Sequence, residues 1–137
     1  MINYELHPTE TTPYVHLDAN TGEFCLKGVS IPENATQFFL PIMSWLEGYA
    51  QQPQPKTTVH IQLEYFNTSS SKRIFDMLKH LEQLITLRNR VAINWYYDDD
   101  DEDIFNAGTD YKALLSKKME FNLLPLRSQQ SDKKDGE

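Results

Sequence analysis

Long apolar runs are missing from this 137-residue chain. The longest, Phe38 to Met43, is interrupted by Pro41 and falls far short of the ~20 residues that span a bilayer, so no membrane insertion is expected. The opening residues, Met1-Ile2-Asn3-Tyr4-Glu5, carry no basic segment followed by an apolar one. No secretory leader is legible there, and a cytoplasmic location is expected. A single cysteine, Cys25, excludes an internal disulfide and suits a reducing compartment. It falls in mid-strand and reads as a buried apolar residue rather than a reactive thiol. Only five glycines are present, none in a phosphate-cradling loop, and there is no G-x-S-x-G elbow. His7, His16, His60 and His80 show no ligand spacing. His16 and His60 fall on strands that can bring them near one another, but both read as structural. Basic residues are few, 13 against 20 acidic ones, and form no stripe that would track a phosphate backbone. Nucleic acid is therefore not an expected partner, and no basic amphipathic helix suits a membrane surface.

Acidity, by contrast, is concentrated. The formal net charge is −7, and the six acids of one run, Asp98 to Asp103, make up most of it. The remainder is a near-neutral body large enough to bury one core.

Periodicity organises that body. Residues 1–11 read as a loose lead-in. Val15 and Leu17 alternate with Tyr14, His16 and Asp18, and Phe24 and Leu26 flank Cys25; Asn20 and Gly22 between them predict a hairpin. Phe38, Ile42, Trp45, Leu46 and Tyr49 recur at helical spacing, with a kink or restart expected at Pro41. Thr57 to Phe66 alternates as a strand, with Val59, Ile61, Leu63 and Tyr65 on one face. A second helix is predicted over Ile74 to Leu87 and a fourth strand over Arg90 to Tyr97. In that strand both faces are aromatic from Trp95 to Tyr97, and core packing is the first reading of them. A third helix is predicted over Glu102 to Ser116, weakened by Gly108, and a last strand over Lys118 to Leu126. The order β-β-α-β-α-β-α-β predicts an α/β domain over residues 12–126, mostly parallel after the hairpin and covered by helices. Residues 127–137 read as a disordered tail.

The stretch that stands out is Tyr65-Phe66-Asn67-Thr68-Ser69-Ser70-Ser71-Lys72. Four successive hydroxyls lie where a strand hands over to a helix. Helix capping needs one such residue; four also suit a phosphate acceptor at a positive helix N-terminus. Strands three and four should end at the same sheet edge, which would bring the acidic loop, Asp98, Asp99, Asp100 and Asp101, near Thr68. Carboxylates are ligands for Mg²⁺ or Ca²⁺, but the run lacks the spacing and internal glycine of a calcium loop, so no metal is assigned. Nothing in the chain reads as an active site, and no cofactor is implied. A metal-dependent enzyme built on Asp98–Asp103 remains as a rival.

Ile31-Pro32-Glu33-Asn34-Ala35, Phe38-Phe39-Leu40-Pro41, Trp45-Leu46-Glu47-Gly48-Tyr49, the Tyr65–Lys72 stretch and Trp95-Tyr96-Tyr97 together resemble the SiaC-type regulatory phosphoproteins. The resemblance spans about residues 12–124. It implies a fold similar to STAS domains and anti-sigma-factor antagonists. It also implies a partner switch, in which a Ser/Thr protein kinase phosphorylates Thr68 and a PP2C-like phosphatase reverses the modification. The unphosphorylated form would bind and activate a diguanylate cyclase, raising cyclic di-GMP and promoting aggregation or biofilm formation. Asn67, Ser69, Ser70, Ser71 and Lys72 would then shape the loop or touch phosphate and partner. An anti-sigma-factor antagonist acting on transcription, with the same switch, is the alternative.

Overall fold

The computed structural model describes residues 1–127. The tail expected from residue 127 onward lies, beyond Arg127, outside the described residues. Nine elements follow in order: β1 (Tyr4–Leu6), β2 (Tyr14–Asp18), β3 (Glu23–Ser30), α1 (Ala35–Tyr49), β4 (Lys56–Phe66), α2 (Thr68–Glu82), β5 (Arg90–Asp98), α3 (Glu102–Leu114) and β6 (Glu120–Leu126). One sheet takes all six strands in sequence order, β1-β2-β3-β4-β5-β6. The β1-β2 and β2-β3 pairs are antiparallel and the other three parallel.

A parallel crossover is right-handed almost without exception, so strands added in one direction put every crossover helix on the same face. The side chains agree. Phe24, Val59, Ile93 and Trp95 point to one face, where Phe24 meets Trp45 and Tyr49 of α1, and Trp95 meets Tyr111 of α3. The core lies between that face and the helices. Trp95, Ile61, Ile93, Ile74 and Leu78 are fully enclosed. The opposite face carries no helix and runs polar across the sheet, from Glu5 through His16, Cys25, His60 and Asn94 to Asn122 in register.

Several expectations need adjustment. The loose lead-in contains a strand. β1 is short and unpatterned, but Tyr14 donates its hydroxyl to Glu5 (2.7 Å), Ala19 N donates to Asn3 Oδ1 (3.0 Å), and Trp45 Nε1 donates to the carbonyl of Ile2 (2.8 Å). Helix α1 neither breaks nor restarts at Pro41. Pro41 sits on the exposed side, where the carbonyl left without its helical donor, that of the exposed Gln37, is open to water. Tyr65 does not share the core face of β4. The register slips between Gly28 and Val29, so that Gly28 faces Leu63 and Val29 faces Tyr65, leaving Glu64 as an extra residue. The bulge reverses the alternation: Tyr65 is 58% exposed and Phe66 turns inward against Trp95 at 6.2 Å. Helix α2 begins at Thr68, six residues earlier than the apolar spacing suggested, and ends at Glu82.

Gly108 in mid-α3 has a packing reason. A Cβ there would lie 2.5 Å from Trp95 Cδ1 and Nε1, so only glycine lets the helix rest on the indole. Trp95 Nε1 in turn donates to the carbonyl of Ile104 (2.9 Å). His16 and His60 are separated by β3, with Cys25 between them in register. His60 is engaged by Glu23 (2.9 Å) and Tyr96 (3.1 Å). Cys25 is half-buried on the open sheet face rather than enclosed, and burial raises the pKa of its thiol.

Candidate functional site

The bulge at Glu64 sets up the site. Phe66 anchors the end of β4 in the core, and Asn67 follows in extended backbone geometry as the N-cap of α2. Its Oδ1 accepts from Ser70 N (2.9 Å), its carbonyl accepts from Ser71 N (2.9 Å), and its own N–H donates to the carbonyl of Ser30 (3.3 Å). The cap is therefore Asn67, and Thr68 is the first helical residue.

This geometry divides the four hydroxyls. Thr68 and Ser69 are exposed. Ser70 is 0% exposed, and Ser30, equally enclosed, donates its hydroxyl to Ser70 Oγ (2.9 Å). Ser71 is half-buried and its Oγ lies 2.7 Å from the Tyr111 hydroxyl, which also donates to the Ser71 carbonyl (2.9 Å). Two of the four hydroxyls are thus structural. The other two sit at the first positions of a helix, where backbone N–H groups lack intrahelical acceptors and the dipole favours negative charge. Lys72 is exposed, one turn on from Thr68, and carries no ion pair among the described residues. Arg73 pairs with Asp76 (3.2 Å).

The acidic run follows β5, next to and parallel with β4, so it leaves the sheet at the same edge as Thr68. Asp98 ends the strand. Asp99 N donates to the carbonyl of Leu126 (3.2 Å). Asp101 caps α3 by accepting from Ile104 N (3.0 Å), and Glu102 and Asp103 occupy the first helical turn. These acids satisfy and offset the N-terminus of α3. Among the described residues no three His, Cys, Asp or Glu side chains are arranged to hold a metal ion. Among the described residues no hydrogen bond or ion pair joins the acids to the hydroxyl loop directly. Tyr111, whose ring stacks on Phe75 of α2 and meets Trp95 edge-on, connects α3 to that loop. Neither Ser30 nor Tyr111 stood out in the sequence. Each lies 40 residues from its serine, and no local signal spans that separation.

Comparison with known proteins places the chain in a family. The family model described as SiaC family regulatory phosphoprotein matches residues 6–126. An uncharacterized protein of Pseudomonas aeruginosa strain UCBPP-PA14 is 28% identical over 116 residues, covering 85% of this chain and 92% of that protein. The crystal structure of apo-SiaC from Pseudomonas aeruginosa superposes with a TM-score of 0.81 at 26% identity, covering 90% of this chain and 99% of that one. A chain from the crystal structure of the diguanylate cyclase SiaD in complex with its activator SiaC, also from Pseudomonas aeruginosa, gives 0.82 at 27% identity, with 90% and 99% covered. A family match that runs almost end to end, with the hydroxyl loop inside it, settles the assignment: this chain belongs to the SiaC family of regulatory phosphoproteins.

Proposed function

We propose that this chain is a non-enzymatic partner switch whose state is set by phosphorylation of Thr68. A Ser/Thr kinase transfers the terminal phosphoryl group of a nucleoside triphosphate to Thr68 Oγ1, releasing the diphosphate and the hydroxyl proton. A PP2C-like phosphatase hydrolyses the ester, returning the hydroxyl and inorganic phosphate. The unmodified form binds and activates a diguanylate cyclase and so raises cyclic di-GMP, with aggregation and biofilm formation downstream. The cyclase is carried over from the similar SiaC, which is the activator of SiaD. The observation that carries the reading is the division of the hydroxyl quartet. Ser70 and Ser71 are held inside the fold, while Thr68 is exposed at the first helical position. A phosphate there adds roughly −1.5 to −2 charge at neutral pH at a helix end that tolerates it.

The test is a turnover assay with purified diguanylate cyclases from the native host. Each is supplied with GTP and titrated with unmodified chain or with chain carrying phosphothreonine at position 68. The reading predicts one cyclase whose rate rises severalfold with the unmodified form and stays at baseline with the phosphorylated form. No response to either form, or an equal response to both, overturns it.

A further inference from the structure

The proton count around Ser71 and Tyr111 goes further than the identity of the phosphoacceptor. Two hydrogen bonds join these residues. In one, the Tyr111 hydroxyl donates to the Ser71 carbonyl at 2.9 Å; in the other, the two hydroxyl oxygens lie 2.7 Å apart. Tyrosine has one hydroxyl proton. If it is given to the carbonyl, the short contact between hydroxyls must use the proton of Ser71. Serine Oγ is then the donor and Tyr111 Oη the acceptor. Burial raises the Tyr111 pKa, with the Ser71 hydrogen bond acting in the opposite sense, so the phenol stays protonated at neutral pH and the count holds.

Ser71 is three residues after Thr68 in the same helix, and residues at that spacing are neighbours on the helix surface. A phosphate on Thr68 brings three strong acceptor oxygens beside the one proton that Ser71 has committed to Tyr111. A charged acceptor takes a hydroxyl proton about twice as strongly as a neutral one. We propose that Tyr111 is the positioning residue of the switch: in the unmodified chain it holds the first turn of α2 through Ser71, and phosphorylation of Thr68 draws the Ser71 hydroxyl away from it, so that α3 feels the modification. The path beyond Tyr111 is short. Its ring meets Trp95 edge-on at 5.5 Å, and Trp95 Nε1 donates to the carbonyl of Ile104 in the first turn of α3. That turn is capped by Asp101 of the acidic loop. The state of a threonine on one helix thus reaches the cap of the next without any contact between phosphate and carboxylate.

This inference rests on Thr68 being the modified residue, so its test installs the phosphate directly and does not depend on a kinase. The chain has two tryptophans, and both indole N–H groups are hydrogen-bonded. Trp95 reports on α3, while Trp45, bonded to the carbonyl of Ile2, reports on the residues that lead into β1 and serves as the internal control. The experiment compares ¹H–¹⁵N indole signals of unmodified chain and chain with phosphothreonine genetically encoded at position 68, in wild type and in Tyr111→Phe. The expected result is a shift of the Trp95 signal on phosphorylation, little movement of Trp45, and loss of more than half of the Trp95 shift in Tyr111→Phe. That variant keeps the ring packing and removes only the hydroxyl. Should it fail to fold, Ser71→Ala is read in the same way. A Trp95 signal that ignores the phosphate, or one that shifts as far without the Tyr111 hydroxyl, overturns the inference. Mapping a kinase-added phosphate to some other residue would overturn the choice of Thr68 instead.

Discussion

Asn67 is the residue on which presentation of Thr68 depends. Its side chain holds the Ser70 amide, and its backbone ties α2 to the end of β3. Asn67→Ala removes the cap, at a cost of about 1 kcal/mol. The melting temperature should fall by about 4 °C, as measured by thermal unfolding. Gly108 offers a sharper test, because two principles oppose each other there. Helix propensity alone says that Gly108→Ala gains about 1 kcal/mol. The new Cβ, however, would lie 2.5 Å from an indole that is fully enclosed and hydrogen-bonded to Ile104. Overpacking of this kind costs about 1–3 kcal/mol, and the rigid ring cannot yield as a flexible chain end would. Denaturant unfolding should therefore show net destabilisation of about 1 kcal/mol, roughly 2 from overpacking less about 1 from propensity. A more stable Gly108→Ala protein would mean that α3 does not rest on Trp95 as described.

Where α2 ends, a second tie to the α3 side mirrors the Ser71–Tyr111 pair. Glu82 accepts from the Ser116 amide and from Lys79 Nζ. The Ser116 hydrogen bond, then that of Lys79, lowers the Glu82 pKa. A carboxylate whose pKa is lower in the folded chain adds stability above its unfolded pKa and loses it as pH falls through the folded one. Glu82→Gln should therefore destabilise by about 1 kcal/mol at neutral pH. The gap to wild type should narrow as pH falls below the usual carboxylate range, when urea midpoints are compared. The legibility of the elements divides along similar lines. Val15/Leu17, Phe24/Leu26, Val59/Ile61/Leu63 and Val91/Ile93/Trp95 announced their strands because helices cover only one face of the sheet, which keeps the alternation clean. The Tyr65/Phe66 reversal was not legible, since a bulge is defined by the partner strand. Nor was β1, which is held by pairing with β2, by the Tyr14 hydroxyl on Glu5 and by bonds to the preceding Asn3 and Ile2 rather than by a pattern of its own. The early start of α2 was obscured because its first turn is built from hydroxyls instead of apolar residues. The hydroxyl stretch itself was legible, but its division into buried and exposed members was not, because Ser30 and Tyr111 lie 40 residues away.

For the whole molecule, charge and the proposed switch residue meet at one sheet edge. The acids that make up most of the net charge leave β5 beside the strand that leads to Thr68. A phosphate would add to that field, which is screened over about 8 Å at physiological ionic strength. Replacing Asp98, Asp99 and Asp100 with asparagine, and leaving the Asp101 cap intact, should shrink the loss of partner affinity caused by phosphorylation. Calorimetry at low and at physiological salt checks this, with the larger change expected at low salt. All of this depends on Thr68 being the modified residue. The most direct test is intact-mass and phosphopeptide mass spectrometry of the chain after reaction with its native kinase, in wild type and Thr68→Ala. The prediction is a single added phosphate that maps to Thr68 and is absent from the variant. A phosphate on Ser69, one that persists in Thr68→Ala, or no phosphate at all would contradict it.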